Sequence, residues 1–210
     1  MEPPLSWGWK DPARRHMAVG TWKFDPFHTQ VEFSAKHFGM MTVRGNFHEV
    51  VAGGEIYPDD PSRSKIEATI NTASIRTHNE QRDNDLRSSN FLEIDKYPTM
   101  TFKSTKVEHV EGDRYKVVGD LTIKGTTKPV TLNVVRFGEL NDPAMMGHRI
   151  SYAATTRINR KDFGMNFDAM RDGRLVVSNE VDITIEGEII EAQEQKAAEP
   201  EKAESGAKRA

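Results

Sequence analysis

The sequence predicts an all-β fold, an antiparallel sheet of about eight strands arranged as a barrel or a sandwich. Three observations predict it. Apolar and polar residues alternate with period two over most of the chain, the signature of half-buried strands. Short Gly, Pro, Asn and Asp clusters separate these runs, as in hairpin-connected sheets. Helical character is confined to one polar insert near residues 78–95. A closed barrel is the more economical arrangement, because it removes exposed strand edges and turns every apolar face inward. With about eight strands the interior holds side chains or one small ligand.

The elements follow in order. Residues 1–19 are rich in Pro, Trp and charge without period, and read as a flexible arm that Trp7 and Trp9 could pin to the surface. Met17 is a candidate start. From residue 20, Trp22 and Phe24 alternate, and Asp25-Pro26 marks a turn. Val31, Phe33, Ala35 and His37 then share one face; Met41, Val43, Gly45 and Phe47 share the next. Gly53-Gly54 reads as a turn, residues 58–62 as a loop, and Ile66, Ala68 and Ile70 as a strand. Met100, Phe102 and Val107 lead to a hairpin turn at Glu111-Gly112-Asp113. Tyr115, Val117, Gly119, Leu121 and Ile123 form the longest clean alternation. Gly125 turns the chain, Pro129 sits at a strand start where a missing donor is tolerated, and Val130, Leu132 and Val134 continue. Asn141-Asp142-Pro143 is a loop. Ile150, Tyr152 and Ala154, then residues 175–178, then Val181, Ile183 and Ile185 complete the strands. The domain spans 20–190. Residues 191–210 are Ala, Glu and Lys with breakers, a composition that cannot bury a core and predicts disorder.

The insert carries its own signals. Thr77 and Glu80 have capping-box spacing; Asn90 and Glu93 repeat it ahead of Phe91, Leu92 and Ile94. Two short helices are therefore predicted, stopped at Tyr97-Pro98. Such a polar insert over the end of an apolar β-structure is a place where a ligand's head group would be met.

Composition excludes several classes. A net charge of -3 and no basic cluster give no footprint for nucleic acid. Cysteine is absent, so there is no disulfide framework and no thiolate chemistry. No apolar run approaches a membrane span, and the N-terminal stretch lacks an apolar secretory core; a cytoplasmic protein without stable membrane insertion is expected. The nucleotide, H-E-x-x-H and nucleophile-elbow patterns all fail. No cofactor or metal is expected.

Candidate site residues are few. By strand parity His37 points into the apolar interior, either as a hydrogen-bonded core histidine or as a polar fixture in a cavity. Arg82 and Asp83 adjoin on the insert, with Arg76 and Arg87 near. They form either an ion-pair network tying the insert to the barrel or a guanidinium site for a phosphate or carbonyl head. Residues 159–167 make a polar turn beside a Met-Phe cluster that packs the core or walls a flexible ligand.

Four blocks in order, WKFDPFHTQVEFSAKHFGMMTVRGNF (22–47), SIRTHNEQRDNDLRSSNFLEIDKYPTMTF (74–102), GDLTIKGTTKPV (119–130) and RKDFGM (160–165), together resemble the YceI-like family of bacterial polyisoprenoid-binding proteins. The resemblance implies an extended lipocalin-like antiparallel barrel whose tunnel holds an isoprenoid or similar long-chain lipid, such as a prenyl pyrophosphate or a quinone, and it implies no catalysis. It makes Phe33, Phe38, Phe47, Leu86, Phe91, Phe102 and Phe163, with Met165, candidates for the tunnel wall. His28, His37, Arg82 and Asp83 become candidates for its polar end. Asp85 stands where relatives often carry histidine before the leucine, which favours a neutral head over a pyrophosphate. Relatives often look exported, unlike this chain. The resemblance is compatible with a homodimer, which the sequence itself does not show. Two other functions remain open: a barrel enzyme using His37 with Asp83, and an interaction protein whose lumen is filled.

Overall fold

The period-two runs become long strands, several of them longer than the sequence punctuation implied. The computed structural model describes residues 20–57, 60–142 and 144–191. The predictions for the arm, for residues 192–210, for residues 58–59 and for Pro143 lie outside them, while Asn141 and Asp142, expected in a loop, are the last residues of a strand. The strands are β1 (Gly20–His37), β2 (Met41–Phe47), β3 (Val50–Ile56), β4 (Lys65–Asn71) and the two-residue β5 (Ile75–Arg76). After the helix α1 (Glu80–Arg87) come β6 (Thr99–Glu111), β7 (Arg114–Ile123), β8 (Thr126–Asp142) and β9 (Gly147–Asn159). A small hairpin of β10 (Met170–Arg171) and β11 (Arg174–Leu175) precedes β12 (Val177–Glu191). Glu191, expected in the tail, is the last residue of β12.

All pairings are antiparallel, and β12 returns to pair with β1, which closes an eight-stranded barrel in the order β1, β3, β4, β6, β7, β8, β9, β12. β1 also pairs with β2 over Val31 to His37, and β5 adds to β2. Three apolar clusters line the interior from end to end. One surrounds Ile75, Phe91, Leu92 and Phe163 under the helix. A middle one holds Phe102, Val107 and Val117. The third, Trp22, Ile150 and Ile189, lies at the opposite end.

Two expected turns are strand interior. Asp25-Pro26 belongs to a bulge within β1, where the pairing to β12 slips between Phe24 and Thr29. The extra residues bend the strand without ending it. Gly53-Gly54 lies within β3 because two backbones press on it. A Cβ at Gly53 would sit 2.5 Å from the Trp22 carbonyl oxygen, and one at Gly54, whose φ is +158, 1.8 Å from that of Lys65. Close backbone approach, not chain reversal, calls for glycine there. The turn expected at Gly125-Thr126-Thr127 is Lys124-Gly125, with Thr126 and Thr127 already in β8: both turn residues have positive φ, the two-residue hairpin geometry that matches strand twist.

The insert holds one α-helix, not two. Asn79 is its N-cap, with Oδ1 accepting from the Arg82 amide at 2.9 Å. Thr77 cannot cap because its amide and hydroxyl both donate to Asp83 Oδ1. Residues 88–98 form successive turns in place of a second helix, and these turns drive Phe91 and Leu92 into the core.

Candidate functional site

The barrel encloses a cavity of about 830 Å³, at the upper part of the range typical of small-molecule sites. Its wall is written by alternation. Along β9 it takes Ile150, Tyr152, Ala154, Thr156 and Ile158; along β8, Val130, Leu132, Val134 and Arg136. The eight residue steps from Ile150 to Ile158, at ~3.3 Å each, make a lumen of roughly 26 Å measured along that strand. Aliphatic and aromatic side chains dominate from the helix end to the Trp22 end.

Among the predicted wall residues, Phe33, Phe47, Leu86, Phe91, Phe102 and Met165 line this cavity. Phe163 is buried in the cluster behind it and does not reach the surface of the lumen. Phe38 is off the cavity. It occupies the β1–β2 turn with φ +52, its ring against that of His37.

The predicted polar-end residues do not converge on the lumen. His37 is exposed, contrary to its strand parity, because the pairing of β1 with β12 slips between Ala35 and His37. Its Nδ1 lies 2.8 Å from the Val176 carbonyl oxygen. His28 is half exposed on the β1 bulge, with Nδ1 3.0 Å from Asp25 Oδ2. Asp83 is buried and is used up by Thr77. Arg82 donates through Nε to Thr77 Oγ1 at 2.7 Å and through Nη2 to the Thr77 carbonyl at 2.8 Å. These two residues clamp the helix to the strand before it, but through hydrogen bonds to Thr77 and not through an ion pair. Asp85 accepts from Asn90 Nδ2 at 2.7 Å, a contact within the insert.

The polar part of the lumen lies at the other end, in residues that strand parity reached but did not single out. A bulge in β8 between Arg136 and Gly138 makes Phe137 the extra residue. It returns Glu139 to the inner face three positions after Arg136, as bulges re-aim side chains. Arg136 Nη2 then donates to Glu139 Oε2. Glu139 Oε1 is 2.7 Å from His148 Nε2, and His148 Nδ1 is 3.2 Å from Glu191 Oε2. The His148 ring meets Trp22 edge-on at 4.8 Å. Tyr152 stands beside them, its phenol pushed up to about 12 by burial, with the Arg136 charge opposing the shift. The inward Arg136 could have been found by carrying the 130-132-134 alternation one step further. Glu139 could not, because nothing local marks the bulge.

A second polar knot lies outside the lumen on the same rim. Asp25, His28 and Glu188 approach closely enough to suggest a cation site. The Arg149 guanidinium already occupies that position, donating to Asp25 at 2.6 Å and to Glu188 at 2.9 Å. At the helix end, Arg160 is buried but satisfied by the Met165 and Ser178 carbonyls and by Asn179 Oδ1. No described helix is long and apolar enough to cross a membrane.

Comparison with known proteins agrees with this architecture. A UPF0312 protein of Serratia proteamaculans is 40% identical over 156 residues, covering 73% of this chain and 80% of the relative. The crystal structure of the YCEI protein of Campylobacter jejuni superposes with a TM-score of 0.65 at 26% identity, over 92% of this chain and all of that one. A polyisoprenoid binding domain from Saccharophagus degradans gives 0.59 at 15% identity, over 83% of this chain and all of that domain, and so shares the fold. The YceI-like domain model matches residues 22–189. Over nearly all of its described residues, then, the chain belongs to the YceI-like family.

Proposed function

We propose that the protein is a lipid carrier or store. Its barrel takes the long apolar chain of an isoprenoid or similar amphiphile and returns it chemically unchanged. The observation that carries this reading is the apolar cavity of about 830 Å³ running the length of the barrel. Burial of one methylene contributes about 0.8 kcal/mol, so several isoprene units supply roughly 10 kcal/mol before ordering costs. One hydrogen bond to a head group adds about 1 kcal/mol. Affinity therefore comes from the lumen and orientation from its polar end. The Saccharophagus domain, described as polyisoprenoid binding, supports the same ligand class. His37 and Asp83, the pair an enzyme would have used, are separately engaged with Val176 and Thr77.

Native mass spectrometry of the purified protein, followed by organic extraction, tests the proposal. The expected result is a stoichiometric apolar adduct, recovered intact after incubation. A bare protein mass that takes up neither added prenyl quinones nor prenyl phosphates would overturn it. Phe33→Asp or Phe47→Asp places a charge in the wall and should abolish retention in protein that still folds.

A further inference from the structure

Five large apolar side chains project from one rim of the barrel, at the Trp22 end of the lumen. Phe27 stands on the β1 bulge, Met145 and Met146 on the β8–β9 turn, and Phe137 and Leu140 on the part of β8 that leads to it. Phe27 is 89% exposed, Met145 86% and Phe137 67%, so these side chains rest on little of their own protein. The two tips are neighbours. Arg149 donates through Nε to the Met146 carbonyl at 2.9 Å and through Nη1 to Asp25 at 2.6 Å, and Asp25 anchors the bulge that carries Phe27. Leu140 lies opposite Arg149 in the β8–β9 ladder. Exposed apolar groups gathered on one side of a protein mark a contact with a partner or a membrane.

The backbone behind both tips is already satisfied. Asp25 Oδ1 accepts the Phe27 amide at 3.0 Å. Asp142 Oδ1 accepts the Ala144 and Met145 amides at 3.1 and 3.2 Å, and the Asp142 carbonyl accepts that of Met146 at 3.1 Å. An aspartate thus does at each tip what water does at an ordinary turn, and a segment that leaves water needs its donors met from within. The tips are convex and come from separate elements. They offer points, not a groove into which a folded partner would key, and lipid closes around whatever projects. The rim carries charges of both signs: Arg149 pairs with Asp25 and Glu188, Arg136 pairs with Glu139, and Arg63, Lys65 and Arg114 lie at the same end. Contact with lipid would therefore be driven by apolar insertion more than by charge. Residues 1–19 join the barrel at Gly20, on this rim as well. Their sequence holds Trp7 and Trp9 with Lys10, Arg14 and Arg15. Indole rings favour the boundary between lipid and water, and basic side chains are drawn to anionic lipid.

We propose that this rim is a membrane-docking face. Phe27, Met145 and Met146 enter the interfacial layer of a phospholipid bilayer, with Phe137 and Leu140 at the edge of the contact, and the chain lies reversibly on the surface. The partner is the bilayer itself. Docking sets this end of the barrel against lipid, so that an apolar cargo passes between bilayer and lumen without crossing bulk water. The purpose of the contact rests on the carrier reading; the contact itself rests on the rim.

Flotation of the full chain with phosphatidylcholine vesicles, with and without phosphatidylglycerol, tests the proposal. The protein should float with both. The fraction bound to phosphatidylcholine should persist in about 1 M salt, where surface charge is screened. Phe27→Ser and Met145→Ser should each lower the partition coefficient roughly three- to tenfold, half of what full burial of one large apolar side chain supplies. Val51→Ser, on β3 and 77% exposed away from this rim, should leave it unchanged. Absence of flotation, or an equal loss for Val51→Ser, would overturn the docking face. So would a dimer in sedimentation velocity that Phe27→Ser and Met145→Ser dissociate, because a second copy would then cover the rim. Vesicle-bound protein that retains no prenyl lipid on organic extraction would instead overturn the carrier reading and leave the docking face standing.

Discussion

Asp25 is buried in the β1 bulge, where a hydrogen bond from His28 and then one from Arg149 lower its pKa from 3.8 to about 2. A depressed carboxylate stabilises the fold above its unfolded value, and the contribution is lost as pH falls through the folded value. This part of the stability is therefore complete above about pH 4 and declines toward pH 2. His28→Ala should raise the pH of acid unfolding, followed by circular dichroism; an unmoved transition would show that the pair does not couple to folding. Asp83 is a different case, since it satisfies the Thr77 amide and hydroxyl in a buried site. Asp83→Ala should cost about 1–3 kcal/mol by stranding them, seen as a lower denaturant midpoint. Arg82→Ala should lower stability less and leave ligand retention unchanged. In the sequence Arg82 and Asp83 favoured a tie between insert and barrel and left a head-group site open. Residue type cannot tell a charge aimed at a ligand from one aimed at a neighbouring carbonyl.

Strand parity reads the wall well wherever pairing is regular. Phe33, Phe47 and Phe102 fall on the lumen as alternation requires, and glycines on the neighbouring strands, Gly45 opposite Phe33 and Gly119 diagonal to Phe102, explain how two of these rings fit. A Cβ at Gly45 would lie 2.5 Å from the Phe33 ring, and one at Gly119 2.4 Å from that of Phe102. Gly45→Ala and Gly119→Ala should each cost about 1–3 kcal/mol by overpacking. That corresponds to a melting temperature lower by roughly 2–12 °C in a domain of this size; an unchanged melting temperature would mean that the rings have room to move. Parity fails where the ladder slips. His37 leaves the inner face at one irregularity, and Glu139 joins it at another. A bulge depends on how two strands are paired, so a single strand's sequence does not announce it. The same holds for the helix start. Thr77 and Asn79 both suit a cap locally, and only the Asp83 contact shows which one is free to serve.

At the scale of the molecule, the all-β class, the antiparallel barrel and the single insert were legible, because each strand advertises one apolar face and only closure hides all of them. The location of the polar end was not, since it depends on which strands become neighbours after closure. That closure joins the first strand to the last: Trp22 faces Glu191 across the β1–β12 ladder, and Val31 faces Ile185. The lumen is thus completed by the most distant pair in the sequence, a kind of contact that slows folding. The ladder also places Gly20 and Glu191 on the same rim, so the order in which the strands are strung is separable from the barrel they build. A circular permutant that joins these two positions through a short flexible linker, and opens the chain at the exposed β6–β7 turn around Gly112, would keep every strand pair but one hairpin connection. It would also turn the slow closing contact into a local one, and should refold faster than the native order while retaining the same ligand.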